Sequence, residues 1–90
     1  MEFEWDEEKR ASNIAKHGLD FVSAIHLFSG PHLRKRARDG RGGEVRWLAV
    51  GVVQGLCVAA VYTVRGGAIR MISLRRARDD ERRQHQKIFG

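Results

Sequence analysis

Three apolar segments in the second half of the chain are separated by two-residue turn sequences, and this spacing constrains the fold more than any other feature. Each segment is rich in β-branched residues and alternates enough to favour a strand. The segments cover about residues 44–53, 56–65 and 68–74. Between them lie Gln54-Gly55 and Gly66-Gly67, and glycine accepts the positive φ that two-residue hairpin turns require. The sequence therefore predicts three consecutive antiparallel strands.

Two-residue turns also predict which side chains share a face of the sheet. If Val53 pairs with Leu56 and Arg65 pairs with Ala68, opposed residues point to the same side. Counting outward from the turns places a polar group on one face, made of Glu44, Arg46, Thr63, Arg65 and Arg70, with Leu48, Val50 and Leu74 further along it. Neighbouring arginines repel one another unless an anion or a carboxylate neutralises them. The group is either an anion site or a solvated face on which Glu44 compensates Arg65.

Helices are predicted on both sides of these strands. Residues 3–18 favour a first helix with Asp6 as N-cap and Gly18 as its end, and residues 19–31 favour a shorter one capped by Asp20. In the first helix, the apolar residues expected to cover the sheet are Ala11, Ile14 and Ala15. Basic residues 32–43 favour a short edge strand and a loop, and the tail returns to helix. The expected fold class is α+β, with two N-terminal helices, a small antiparallel sheet of three to four strands and a C-terminal helix.

Size and charge limit the classes of function. Ninety residues make a single domain, 1–90, and a net charge of +6 favours polyanionic partners: RNA, DNA or an acidic protein. One cysteine, Cys57, excludes an internal disulfide and fits a reducing cytoplasm. No apolar run has the length of a membrane span. The four histidines show no metal-ligand spacing, so we expect no metal site and no cofactor.

The order of motifs resembles a known family. The segments FEWDEEKRASNIAKHGLDF, GEVRWLAVG and YTVRGGAIRMISLRRAR are similar to the BrnT toxins of bacterial type II toxin–antitoxin systems, over a range from Phe3 to about Arg83. The resemblance implies a RelE-like fold and an endoribonuclease that inhibits translation by cutting RNA. It also implies a cognate DNA-binding antitoxin that neutralises the toxin and represses their shared operon.

The resemblance and the arginine positions together suggest a site for RNA cleavage. Without a metal, the reaction must deprotonate a 2′-OH, stabilise the charge of a phosphorane and protonate the 5′-oxygen. The predicted catalytic residues are Arg46, Arg65 and Arg70 at the phosphate, Glu44 as base, and His17 as acid with Lys16 as a substitute. His85 is a second candidate acid, because family members often carry a tyrosine late in the final helix and this chain has His85 nearby.

Other basic residues are expected to bind RNA away from the scissile bond. They are Arg75 and Arg76 at the end of the last strand, and Arg34 and Arg36 in the basic segment. Two alternatives stay open on the sequence. The protein is a noncatalytic RNA- or DNA-binding module, or its arginine face docks an acidic antitoxin. The sequence predicts neither an RNA sequence preference nor whether cleavage requires the ribosome.

Overall fold

The structure, a computed structural model, describes residues 1–90 as five strands and three α-helices. The elements in chain order are β1 (Glu2–Glu4), α1 (Glu7–His17), a 3₁₀ turn (Phe21–Ser23), α2 (Ala24–Ser29), β2 (His32–Arg36), a second 3₁₀ turn (Arg41–Gly43), β3 (Trp47–Val53), β4 (Leu56–Arg65), β5 (Ala68–Arg76) and α3 (Asp79–Phe89). The strands form one sheet in the order β1-β5-β4-β3-β2. None of the helices is both long and apolar enough to cross a membrane.

The two predicted hairpins are confirmed. Val53 pairs with Leu56 and Arg65 pairs with Ala68. Both residues of each turn have positive φ, 49° and 80° at Gln54-Gly55 and 57° and 81° at Gly66-Gly67, which matches the twist of antiparallel strands. The predicted strand bounds are less accurate, because β3 begins only at Trp47 and β5 continues to Arg76.

The N-terminal residues correct the predicted fold class in part. Residues 2–4 form a strand rather than the start of a helix, and Phe3 pairs with Ile69 in parallel with β5. The sheet is therefore mixed and five-stranded, not antiparallel with three to four strands. The helix begins at Glu7, after Asp6 accepts the backbone N–H of Glu8 at 2.8 Å. The predicted second helix is divided into a 3₁₀ turn and a six-residue helix, and the predicted edge strand is confirmed as β2.

A β-bulge in β5 changes the predicted faces beyond its midpoint. Tyr62 pairs with Met71 but Val61 pairs with Ser73, so Ile72 is the extra residue. Leu74 consequently lies opposite Ala60 in the main core, and its predicted place beside the arginines is wrong. The bulge also brings Arg75 onto the face that carries Arg70.

Helices α1 and α2 pack on one face of the sheet, here called the helical face. Its core contains Phe21 and Leu27, which are completely or almost completely buried. The predicted apolar stripe of α1 is wrong, because Ala11, Ile14 and Ala15 are exposed. Helix α1 is instead fixed by Asn13, which is 6% exposed.

The side chain of Asn13 bonds backbone groups of β5 in the way that a neighbouring strand would. Its side-chain oxygen accepts the N–H of Leu74 at 3.0 Å, and its amide donates to the carbonyl of Leu74 at 2.9 Å. The amide also donates to the carbonyl of Leu19 at 2.8 Å, just beyond the end of α1. Because β1 pairs only with residues 68–70 of β5, these bonds satisfy backbone groups that no strand reaches.

The other face of the sheet, here called the open face, is covered at one end only. Leu48, Val50 and Ala59 form a small cluster there, with Cys57 and Ala77 packed against it. Helix α3 follows Ala77 and lies over this end of the face. The opposite end, where β3 begins and β4 ends, has no covering helix. It carries Arg46, Arg65 and Arg70, the arginines predicted to share one face.

Candidate functional site

Three arginines at the uncovered end of the open face, Arg46, Arg65 and Arg70, form what we call the arginine row. Thr63 lies directly opposite Arg70 in the sheet. Its hydroxyl donates to the carbonyl of Val45 at 2.7 Å, which ties β4 to the segment before β3. The hairpin register therefore brings the three arginines together on one face, as the sequence predicts.

Glu44 links two members of the arginine row. Its two carboxylate oxygens accept from Arg46 Nε at 3.2 Å and from Arg65 Nη2 at 3.3 Å. The hydrogen bond from Arg46, helped by the charges of both guanidinium groups, lowers the pKa of Glu44 below its ordinary value. A carboxylate with a lowered pKa is a weaker proton acceptor, so this geometry favours Glu44 as an anchor for the arginines over its predicted role as base.

The arginine row keeps hydrogen-bond donors that no protein group uses. The side chain of Arg46 makes its only protein hydrogen bond through Nε, and the side chain of Arg65 is 60% exposed. Arg70 makes no side-chain hydrogen bond, and its Nη1 lies 3.5 Å from a carboxylate oxygen of Glu4. Three guanidinium groups thus face two carboxylates. The excess positive charge and the free N–H groups suit a phosphate, which accepts paired N–H groups from arginine.

A polar cavity of about 640 Å³ adjoins Arg46. No apolar side chain lines it; its walls are Lys9, Asp39, Gly40, Arg41, Glu44 and Arg46. Gly40 packs directly on the guanidinium group of Arg46, since a Cβ at this position would lie 2.4 Å from Nε. Lys9 and Arg41 were missed as site residues by the sequence analysis. Neither has a distinguishing pattern, because Lys9 follows two glutamates in the first turn of α1 and Arg41 lies in a loop rich in arginine.

Lys16 and His17 do not join the arginine row. They end α1, where Gly18 has a left-handed φ of 69° and donates to the carbonyl of Ile14 at 2.8 Å. The next residue, Leu19, lines a small cavity with Gln54 of the β3–β4 turn. That turn is at the opposite end of β3 from Arg46, so the predicted catalytic group is divided between two ends of the molecule.

His85 and Arg76 belong to a separate cleft beneath α3. His85 lies with Nε2 3.2 Å from the carbonyl oxygen of Pro31, and its ring stacks near Phe89 with centroids 4.8 Å apart. Together with Arg76 and Cys57 it lines a cleft of about 420 Å³ between α3 and the β3–β4 hairpin. Burial raises the pKa of the Cys57 thiol, which disfavours the thiolate.

Arg75 is engaged in a paired contact inside the fold. Its Nη1 and Nη2 donate to both carboxylate oxygens of Glu81 at 2.8 and 2.9 Å. Glu81 also accepts the backbone N–H of Arg78 at 2.8 Å and so caps α3. The hydrogen bonds from Arg75 lower the pKa of Glu81 to about 2, and the same bonds raise the pKa of Arg75 above its ordinary value. The predicted RNA contact of Arg75 would require this pair to open.

Arg34 and Arg36 lie on the helical face, away from the arginine row. Their guanidinium carbons are 4.7 and 5.9 Å from the ring centroid of Trp47. Since Trp47 directly follows Arg46, the two side chains point to opposite sides of the sheet. Arg36 also contacts Asp39 at 2.9 Å. Within the described chain, no group of three or more His, Cys, Asp or Glu side chains is arranged to hold a metal ion.

Comparison with known proteins adds one finding to this geometry. The family model described as the ribonuclease toxin, BrnT, of type II toxin–antitoxin systems matches residues 5–81. The matched range includes the whole arginine row, the polar cavity and the Arg75–Glu81 pair. No curated protein matches the chain.

Proposed function

Because the chain belongs to the BrnT family of ribonuclease toxins from type II toxin–antitoxin systems, we propose that it is an endoribonuclease that cleaves RNA at the arginine row without a metal ion. The observation that carries this proposal is the single carboxylate of Glu44 shared by Arg46 and Arg65. It holds two guanidinium groups in place and leaves most of their donors for a substrate.

The proposed reaction is attack of an RNA 2′-oxygen on the neighbouring phosphorus. A 2′,3′-cyclic phosphate forms, the bond from phosphorus to the 5′-oxygen breaks, one proton leaves the 2′-OH and one reaches the 5′-oxygen. Negative charge grows on the equatorial phosphoryl oxygens before that bond breaks. Arg46 and Arg65 are proposed to bind these oxygens, with Arg70 contributing from the next strand. Fixed donors of this kind supply about 10²–10³-fold each in comparable sites.

The geometry supports a role for the arginines in charge stabilisation, but it favours no residue as the general acid or base. Glu44 is ion-paired with a lowered pKa, and His17 and His85 are at the far end of the sheet. We therefore propose that catalysis rests mainly on the positioning and electrostatic contribution of the arginines, with Glu44 as their anchor.

A cognate antitoxin follows from the family, since type II systems pair a toxin with an antitoxin protein. We propose that this partner binds DNA, and that it neutralises the toxin by covering the arginine row in the cytoplasm. The exposed side chain of Arg65 and the excess positive charge of the row support such a contact. Free toxin would then inhibit translation by cutting RNA.

The test is incubation of purified, partner-free protein with a long RNA in EDTA. Arg46→Ala should lower the cleavage rate by about 10²–10³-fold. Arg83→Ala is the matched control, because Arg83 is an exposed arginine of α3 whose side chain makes no hydrogen bond and no ion pair. Thermal unfolding checks that both variants fold. Full activity of Arg46→Ala would remove the arginine row from the mechanism.

Uncut RNA with the wild-type protein calls for the same assay with translating ribosomes. Cleavage there would place the reaction on the ribosome. Tight RNA binding with no cleavage in either assay would instead identify a noncatalytic binding module and overturn the proposed function.

A further inference from the structure

We propose that the polar cavity beside Arg46 binds a second phosphate of the RNA strand, next to the scissile one, and that Lys9 and Arg41 hold it. This inference rests on the proposed function, because it takes the arginine row as the place of the scissile phosphate. It adds two residues and a defined subsite to that function.

The first argument is the composition of the cavity walls. Three separate parts of the chain form them: the first turn of α1, the loop at residues 39–41, and the segment just before β3. All six lining residues are charged or glycine. A cavity of about 640 Å³ without apolar walls suits a solvated, charged group better than an apolar side chain or a base.

The second argument is which charges are already paired. The carboxylates at the cavity are occupied, since Asp39 contacts Arg36 at 2.9 Å and Glu44 contacts Arg46 at 3.2 Å. The side chains of Lys9 and Arg41 make no hydrogen bond and no ion pair with any protein group, and both residues are exposed. Two cations therefore stand free at the cavity, which makes it a site for an anion.

The third argument is continuity with the arginine row. Glu44 and Arg46 belong to both, so an anion in the cavity and an anion on the row would be neighbours. Successive phosphates of a single strand are neighbours of this kind. The arrangement therefore selects a polynucleotide over an isolated phosphate ion, since only a polynucleotide occupies both places with one molecule.

The experiment measures binding of a 2′-O-methylated RNA oligonucleotide, which cannot be cleaved because its attacking hydroxyl is blocked. Fluorescence anisotropy over a series of NaCl concentrations gives the affinity and its salt dependence. Lys9→Gln and Arg41→Gln should each weaken binding and reduce the slope of log K against log salt by about 0.7, as expected for one lost phosphate contact on a single strand.

Lys16→Gln is the matched control, because it removes the same charge from the other end of the same helix. It should leave the slope unchanged. Asp39→Asn should act in the opposite direction and strengthen binding, since it removes a negative charge from the cavity. On cleavable RNA, Lys9→Gln should raise KM with little change in kcat, as expected for a residue that binds but does not react.

Two results would overturn the subsite. One is an unchanged salt slope in both Lys9→Gln and Arg41→Gln; the other is an equal decrease in Lys16→Gln, which would indicate a diffuse effect of charge. Because the oligonucleotide cannot be cut, these outcomes are independent of catalysis. A subsite confirmed by binding, in a protein that cuts no RNA with or without ribosomes, would leave the cavity as a phosphate-binding subsite. It would remove the proposed function, and with it the place of that subsite beside a scissile phosphate.

Discussion

Two arginine–glutamate clusters lie at opposite ends of the open face. They differ in how deeply the carboxylate is buried and in how many guanidinium groups it binds. At the uncovered end, Glu44 is 28% exposed and is shared by Arg46 and Arg65 at 3.2 and 3.3 Å. At the α3 end, the side chain of Glu81 is 4% exposed and receives two shorter bonds from a single guanidinium group, that of Arg75. The first cluster keeps guanidinium N–H groups that no protein group accepts, whereas the second is a structural pair with both of its Nη groups engaged. The carboxylate partner, more than the position of an arginine on the sheet, decides which arginines are free to bind a substrate.

The largest expected effect is a loss of unfolding free energy in Arg75→Met, which tests whether the Glu81 cluster is structural. Removing Arg75 leaves a buried carboxylate without its partner, which typically costs about 3 kcal/mol or more of unfolding free energy. Urea denaturation measures the loss. Arg82→Met is the control, because the pair of Arg82 with Asp79 is largely exposed and should contribute under about 1 kcal/mol. Equal stability of the two variants would mean that the buried pair of Arg75 and Glu81 contributes no more to folding than an exposed pair does.

Acid should weaken the buried cluster progressively. The pKa of Glu81 is about 2 in the fold against an ordinary value of 4.5, so the unfolded chain binds more protons between these values. The contribution of Glu81 is fully present above about pH 4.5 and is lost as the pH falls towards 2. Asp20, which Arg10 holds at a pKa of about 2, acts in the same direction.

Unfolding free energies at pH 7, 4.5, 3 and 2 test this dependence. Glu81→Gln should flatten the curve between pH 4.5 and 2, because it removes one of the groups that take up a proton there. A curve as steep as that of the wild type would assign the dependence to other carboxylates.

The smallest expected effect is a decrease in RNA cleavage when the guanidinium group of Arg46 is displaced. In Gly40→Ala the new methyl group would overlap the guanidinium group of Arg46, which must move, while the backbone at φ −84° accepts alanine. RNA cleavage should fall by about tenfold with little change in melting temperature, since misplacing a catalytic group slows a reaction without unfolding the protein. Gly30→Ala is the control, because its Cβ would meet nothing closer than 3.9 Å. Unchanged cleavage in Gly40→Ala would mean that Arg46 tolerates displacement.

The features that the sequence predicts correctly are local. Each hairpin turn contains glycine at a position of positive φ, and two such turns fix the register that places Arg46, Thr63 and Arg70 side by side. Helix ends are predictable for the same reason, since Asp6 and Gly18 act on backbone groups within a few residues.

The features that the sequence does not predict depend on distant contacts. Strand β1 has three residues, too few for a pattern, and its partner β5 is in the other half of the chain. Nothing marks Ile72 as a bulge, yet the bulge decides the side of the sheet on which Leu74 lies. The separation of Lys16 from the arginines depends on the direction in which α1 crosses the sheet, which Asn13 fixes through Leu74.

The amide of Asn13 also has a consequence for how the sheet ends. On the β5 side, the sheet ends in the three residues of β1, and Asn13 bonds the backbone of Leu74 beyond them, so a further strand finds few free partners there. On the other side, the outer backbone edge of β2 is vacant, but it carries Arg34, Lys35 and Arg36. A second copy of the same strand would bring the same charges and be repelled. One margin is limited by its short length and the other by its charge, and only the second would favour a strand of opposite charge.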